Sequence, residues 1–160
     1  MEDIWNITAL VVSVLSVLLS LYALRQATTK NTSDMYLFFI SQYAKEDMKL
    51  ALRKLKDIKR GVYRLEQWES DMKNNLPKAF EYDEARRLVK YFYDTLAYMK
   101  LEKLIEARFV RLICLKKGAR LYLDTVEAME KFFDSGYDKK PYAVIRDVCE
   151  NLRKEGCCPP

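Results

Sequence analysis

Hydrophobic positions along the chain fall into two regimes. Residues 4–24, IWNITALVVSVLSVLLSLYAL, form an apolar run with no charge. Beyond it, apolar residues recur at steps of three and four, the period of helices with one buried face. The run predicts a membrane-spanning helix. Its 21 residues, at about 1.5 Å each, cover roughly 31 Å, the hydrocarbon thickness of a bilayer. Trp5 and Tyr22 sit near its ends, where aromatic side chains prefer the interface.

A polar connector follows at 28–34, with Ser33 or Asp34 as the expected N-cap of the next helix. That helix begins with the apolar turn 35–40. It continues through Tyr43 or Ala44, Met48, Ala51, Leu52, Leu55 and Ile58, with a candidate break at Lys45-Glu46-Asp47 and an end at Gly61. Val62, Leu65 and Trp68 predict a short helix, and Asn74-Asn75-Leu76-Pro77 a turn. Asp83 is expected to cap a helix whose inner face is Ala85, Leu88, Val89, Phe92, Leu96 and Met99. Residues 101–115 are expected as another, with Leu104, Ile105, Phe109, Leu112 and Ile113 inward and Gly118 ending it. Tyr122, Val126, Met129 and Phe133 carry the next, to near Gly136. Pro141 suits the first turn of a last helix with Tyr142, Ile145, Val148, Cys149 and Leu152 inside. The expected fold class is all-α: one N-terminal transmembrane helix followed by a small bundle of five to six helices. Residues 1–27 would be the anchor, 28–34 the connector, 35–155 the helical domain and 156–160 a disordered tail.

Composition supports this class. Half of the residues are apolar and 32% charged, while Gly and Pro number four each. A disordered chain carries fewer apolar residues, and a turn-rich β fold needs more Gly and Pro. Charge then sets the topology. Glu2 and Asp3 precede the apolar run, and all 28 basic residues follow it, from Arg25 onward, against 21 of the 23 acidic ones. The positive-inside rule predicts a single-pass protein of the cell membrane, N-terminus outside and helical domain in the cytoplasm. A cleaved signal peptide fits less well: the segment before the run is acidic, and Tyr22-Ala23-Leu24-Arg25 is a poor cleavage site. The four cysteines match neither a zinc-ribbon nor a redox-pair spacing. They are expected to be reduced, with Cys149 a small buried residue beside Ile145 and Leu152. The ending Cys157-Cys158-Pro159-Pro160 lacks the prenylation pattern and reads as a frayed tail.

Two residue patterns are candidates for function. Ala9, Ser13, Ser16, Ser20, Ala23 and Ala27 form a stripe of small residues along one face of the expected span. Such stripes let two helices approach closely in lipid, although serines also bond back to their own helix. Lys45, Lys49, Arg53, Lys54, Lys56, Lys59 and Arg60 form a basic cluster soon after the span. Each cation near an anionic leaflet gains roughly 1 kcal/mol, so this helix is a candidate for contact with anionic lipid, and an ordinary solvated face is the plainer reading. Catalysis has little to work with. The chain has no histidine, which removes triads, HExxH sites and di-iron bundles. Glu102 and Glu106 lie one turn apart but read as a surface pairing with Lys103 or Arg108. No enzyme activity, cofactor or metal is expected. Nucleic acid is disfavoured, because the aromatics fall at core spacing rather than among the basic residues. The tyrosines read as packers, rings inside and hydroxyls at the rim.

The run Glu84-Ala85-Arg86-Arg87-Leu88-Val89-Lys90-Tyr91-Phe92-Tyr93, then Leu104-Ile105 and a helix ending Cys114-Leu115-Lys116-Lys117-Gly118, resembles a family of small prokaryotic and phage-associated membrane proteins, domain of unknown function 4760. The early helix from Leu37 to Leu55 is similar as well, whereas the tryptophan expected near Leu121-Tyr122 is missing. The resemblance implies a single span with a cytosolic helical domain, and it brings no assigned activity to carry over. The expected function is a membrane-anchored helical interaction or scaffold protein that forms a homo-oligomer or engages a protein partner. A membrane-active pore or holin-like phage component is the alternative. Against it stand the large folded domain and a single span whose only polar face is serine.

Overall fold

The computed structural model describes residues 16, 18–23, 33–133 and 137–157, and the chain divides into two units, residues 1–37 and 38–160. In the first unit, residues 16 and 18–23 are helical, with Leu18, Leu19, Leu21 and Tyr22 exposed. Most of the expected span over 4–24 lies outside the described residues, and among those described no helix is long and apolar enough to cross a membrane. Residues 33–44 form helix α1, which already contains Ser33 and Asp34, the two residues expected at its cap.

Every regular element among the described residues is helical. Helix α2 spans Glu46–Lys59, α3 Leu65–Lys73, α4 Pro77–Leu101, α5 Ala107–Cys114 and α6 Lys117–Leu121. A π-helical segment, Tyr122–Val126, leads without a break into α7, Glu127–Phe133, and α8 is Lys139–Lys154. These are more and shorter pieces than the five to six helices expected.

The candidate break at Lys45 is real: its backbone is extended (φ −59°, ψ 148°), so α2 starts afresh at Glu46. Glu46 and Asp47 in the first turn and Lys56 and Lys59 in the last complement the helix dipole. Met48, Ala51, Leu55 and Ile58 are buried at the expected spacing. Gly61, at φ +75°, ends the helix, and the Val62 N–H donates to the Asp57 carbonyl at 2.9 Å. This left-handed closure satisfies the last carbonyls. It recurs after α3 at Asn75 (φ 54°) and after α4 at Lys103 (φ 57°), where no glycine marks it. The Lys103 closure cuts the expected helix 101–115. Leu104 is left 60% exposed in the turn and Ile105 buried, and Leu112 faces out while Val110 and Ile113 face in.

Helix α4 is central, packing against α2, α3, α8 and the π segment. It begins at Pro77, whose missing N–H costs nothing in a first turn. Asp83 is therefore not a cap. It lies inside α4, 7% exposed, with Oδ1 2.7 Å from Arg86 Nε and Oδ2 3.1 Å from Arg87 Nε. Of the expected α4 face, Ala85, Val89, Phe92 and Leu96 are buried, whereas Leu88 is exposed and Met99 half-buried. Trp68 of α3 is fully buried, and its Nε1 donates to the Ala79 carbonyl at 3.2 Å, tying α3 to α4. Aromatic rings continue the core. Tyr93, Tyr122 and Tyr142 stack in a column, with centroids 5.1 and 4.5 Å apart. Their rings are inside as expected, but the hydroxyls of Tyr93 and Tyr142 are not at the rim, since both residues are almost fully buried.

Gly118 does not end a helix. It sits in the first turn of α6, buried, because the α1 and α4 tyrosines press on it. Its N–H donates to Tyr43 Oη at 3.2 Å, and a methyl group there would lie 2.7 Å from Tyr93 Oη and 2.9 Å from Tyr43 Oη. Alanine improves helix propensity by about 1 kcal/mol, but overpacking typically costs 1–3 kcal/mol. Tyr93 is fully buried, so Gly118→Ala is expected to lose up to about 2 kcal/mol of stability despite the better propensity, read from thermal unfolding by circular dichroism.

Candidate functional site

The last turn of α2, the α5–α6 junction, the π segment and α8 enclose a cleft of about 1020 Å³. All of these elements but the π segment contribute cations. Basic residues gather in the last turns of α2 and α8, where they face the negative helix ends. The α5–α6 junction adds Lys116 and Lys117, and α6 adds Arg120. Lys56, Lys59, Arg60, Arg146 and Arg153 complete the set of cations, against only Asp124 and Glu150 among the carboxylates. Leu115, Leu121, Leu123, Cys114 and Cys149 are the apolar or sulfur-bearing remainder, and no aromatic ring among the described residues lines the cleft.

Two of the cations are held in place. Lys59 Nζ lies 2.5 Å from Asp124 Oδ2, and Arg146 Nη2 lies 2.5 Å from Oε2 of Glu127, which is 6% exposed. Lys56, Arg60, Lys116, Lys117 and Arg153 form no ion pair with any described residue. The π segment divides its residues between cleft and core. Leu123 and Asp124 line the cleft, while Tyr122, Thr125 and Val126 are buried. Such insertions recur at functional sites. Cys149, expected in the core, is half-buried at the cleft wall, and Cys114 is buried beside it. The Cys114 thiol, hydrogen-bonded to it, holds the Cys149 thiol below its ordinary range. The Arg120 charge adds to this, and burial opposes it.

A second polar cluster is structural in character. Arg86, 8% exposed, reaches from α4 to Glu130 of α7, itself 5% exposed, and stacks 4.7 Å above the Phe133 ring. Lys90 lies 2.5 Å from Asp94 and 3.7 Å from Glu130, and the Tyr122 hydroxyl donates to Asp94 at 2.5 Å. These groups pair with one another, and no metal-holding group of three or more His, Cys, Asp or Glu occurs among the described residues.

The residues singled out from sequence are only partly gathered. Lys56, Lys59 and Arg60 line the cleft. Lys49 and Arg53 instead pair with Glu46 at 3.3 and 3.8 Å, Lys54 pairs with Glu81 at 3.0 Å, and Lys45 sits exposed at the α1–α2 break. Of the small-residue stripe, Ala9, Ser13 and Ala27 lie outside the described residues. Ser16, Ser20 and Ala23 are helical and exposed, and the Ser20 hydroxyl donates to the Ser16 carbonyl at 2.8 Å. Sequence reasoning missed Lys116, Lys117, Arg120, Arg146 and Arg153. The adjacent pair Lys116-Lys117 was a signal, but nothing local joins it to α2 or α8. Fold and cleft together define an all-α helical domain with a cationic cleft. Comparison with protein families, with curated proteins and with solved structures finds no match for this chain.

Proposed function

We propose that this chain is a single-pass, membrane-tethered helical interaction module without catalytic activity. Its N-terminus lies outside the cell and its helical domain in the cytoplasm. It works as a homo-oligomer or with a protein partner, and the cationic cleft is its working surface. The observation that carries this reading is the uncharged run at 4–24 followed by every one of the 28 basic residues. Such a run partitions into hydrocarbon, and the cations after it stay on the cytoplasmic side. The cleft supports an interaction role, because a concentration of one charge sign in a concave surface focuses the field on an oppositely charged partner. The basic residues from Lys45 to Arg60 support the same preference for anionic surfaces, although Lys49, Arg53, Lys54 and Lys59 also pair with carboxylates.

Alkaline carbonate extraction of the full-length chain tests the tether: the protein should stay with the membrane pellet, and release into the supernatant removes the reading. Self-association is tested in a membrane dimerisation assay. Ser20 already spends its hydroxyl hydrogen within its own helix, so close backbone approach rather than inter-helix hydrogen bonding would drive it. Replacing Ser13, Ser16 and Ser20 together with leucine is expected to abolish association, and unchanged association excludes the stripe. Dye retention by vesicles carrying the full-length chain separates this module from the pore reading.

A further inference from the structure

We propose that the cleft between α2, α6 and α8 is a binding site for an anion bearing two or more phosphate groups. This deepens the reading of the cleft as the working surface and rests on it, while anchoring has its own separate test. Charge balance comes first. The lining holds eight Lys or Arg side chains and two carboxylates. Five of the eight have no ion-pair partner among the described residues, as given above. Like charges confined to one concavity repel, and a multivalent anion relieves that repulsion with one molecule.

The donor set fits phosphate in particular. Arg60 and Arg153 offer forked donors that match phosphate oxygens in pairs, and Lys116 and Lys117 add compact point charges. A phosphate monoester brings between one and two negative charges near neutral pH, more than a carboxylate does. The site is partly preorganised, since Arg146 is already oriented by buried Glu127. The volume, about 1020 Å³, is of the size that takes a small-molecule ligand. The absence of aromatic rings from the lining removes the stacking platform that single-stranded nucleic acid uses. Phosphates of this kind reach the cleft either on a free metabolite or on a lipid headgroup, and the two sources are distinguishable.

Full-length chain in maltoside micelles is titrated with inorganic tripolyphosphate by calorimetry, while the alkylation rate of Cys149 by iodoacetamide is followed against that of exposed Cys157. Tripolyphosphate is expected to bind and to slow alkylation of Cys149 selectively. Losing two charge-assisted contacts in Lys116→Glu/Lys117→Glu is expected to weaken binding by about tenfold or more. Lys139→Glu/Lys140→Glu makes the same change in net charge outside the cleft and is expected to leave binding unchanged. Competition by cardiolipin added to the micelles assigns the site to a lipid headgroup, and lack of competition to a free phosphorylated compound. The proposal is overturned if tripolyphosphate does not bind, if both double variants weaken it equally, or if an oligothymidylate binds more tightly than tripolyphosphate.

Discussion

Replacing Arg86 with methionine is expected to destabilise the helical domain by about 3–5 kcal/mol, the usual cost of removing one partner from a buried ion pair. Among the described residues, the guanidinium joins Asp83 of α4 to Glu130 of α7. All three residues are at least nine-tenths buried. Without Arg86, Asp83 keeps only Arg87, a mostly exposed partner at 3.1 Å, and Glu130 keeps Lys90 at 3.7 Å. Two desolvated carboxylates would then share weaker compensation, and the cation above the Phe133 ring would be lost. Removing Glu130 as well leaves one desolvated carboxylate, Asp83, short of compensation instead of two. Arg86→Met/Glu130→Met is therefore expected to be more stable than Arg86→Met alone. Urea unfolding monitored by helical circular dichroism reads both. A single variant as stable as the wild type, or a double variant clearly worse than the single, contradicts the account.

Alkaline pH is expected to unfold the domain cooperatively through its buried tyrosines. Burial is the first cause that raises the Tyr93, Tyr122, Tyr142 and Tyr63 phenols above their ordinary range. Hydrogen bonds to Asp94 and Asp71 add to it for Tyr122 and Tyr63. Tyr137 is pushed up to about 12, by burial and then by its bond to Glu127. Below about pH 10 these phenols keep their protons in folded and unfolded chains alike, so their contribution is fully present and independent of pH. Above it, the unfolded chain releases protons that the folded chain retains. Stability then falls as pH climbs toward the folded values, by up to about 1.4 kcal/mol per pH unit for each buried tyrosine. Several such groups acting together exhaust a typical stability of about 5–15 kcal/mol within roughly one to three pH units. The share of the tyrosinate absorption band that belongs to the buried tyrosines should therefore appear in step with loss of helical signal, after exposed ones such as Tyr91 have ionised. Gradual ionisation of all tyrosines near pH 10, with helicity intact, contradicts this.

Both effects depend on residues that look ordinary along the chain. Asp83, followed by a run of helix formers, has the local signature of a cap. Only the approach of Glu130 from α7, and the Arg86 that bridges them, makes it a buried ion-pair member. Gly118 likewise has the local signature of a stop, and only the hydroxyls of Tyr43 and Tyr93 explain why a side chain is excluded there. Lys103 closes α4 in a left-handed conformation that lysine does not advertise.

What the amino-acid order determined by itself is the set of properties that act over a few residues. These include the all-helical class, the buried faces of α2 and α8, the break at Lys45 and the turn at Asn74–Pro77. Periods of three and four, scarce glycine and clustered turn residues act within one or two helical turns, so they are readable without knowing the fold. The cationic cleft belonged to the tertiary structure alone. Lys56, Lys116 and Arg153 become neighbours only when α2, α6 and α8 pack round the central helix, because side-chain packing between helices far apart in sequence decides which charges meet.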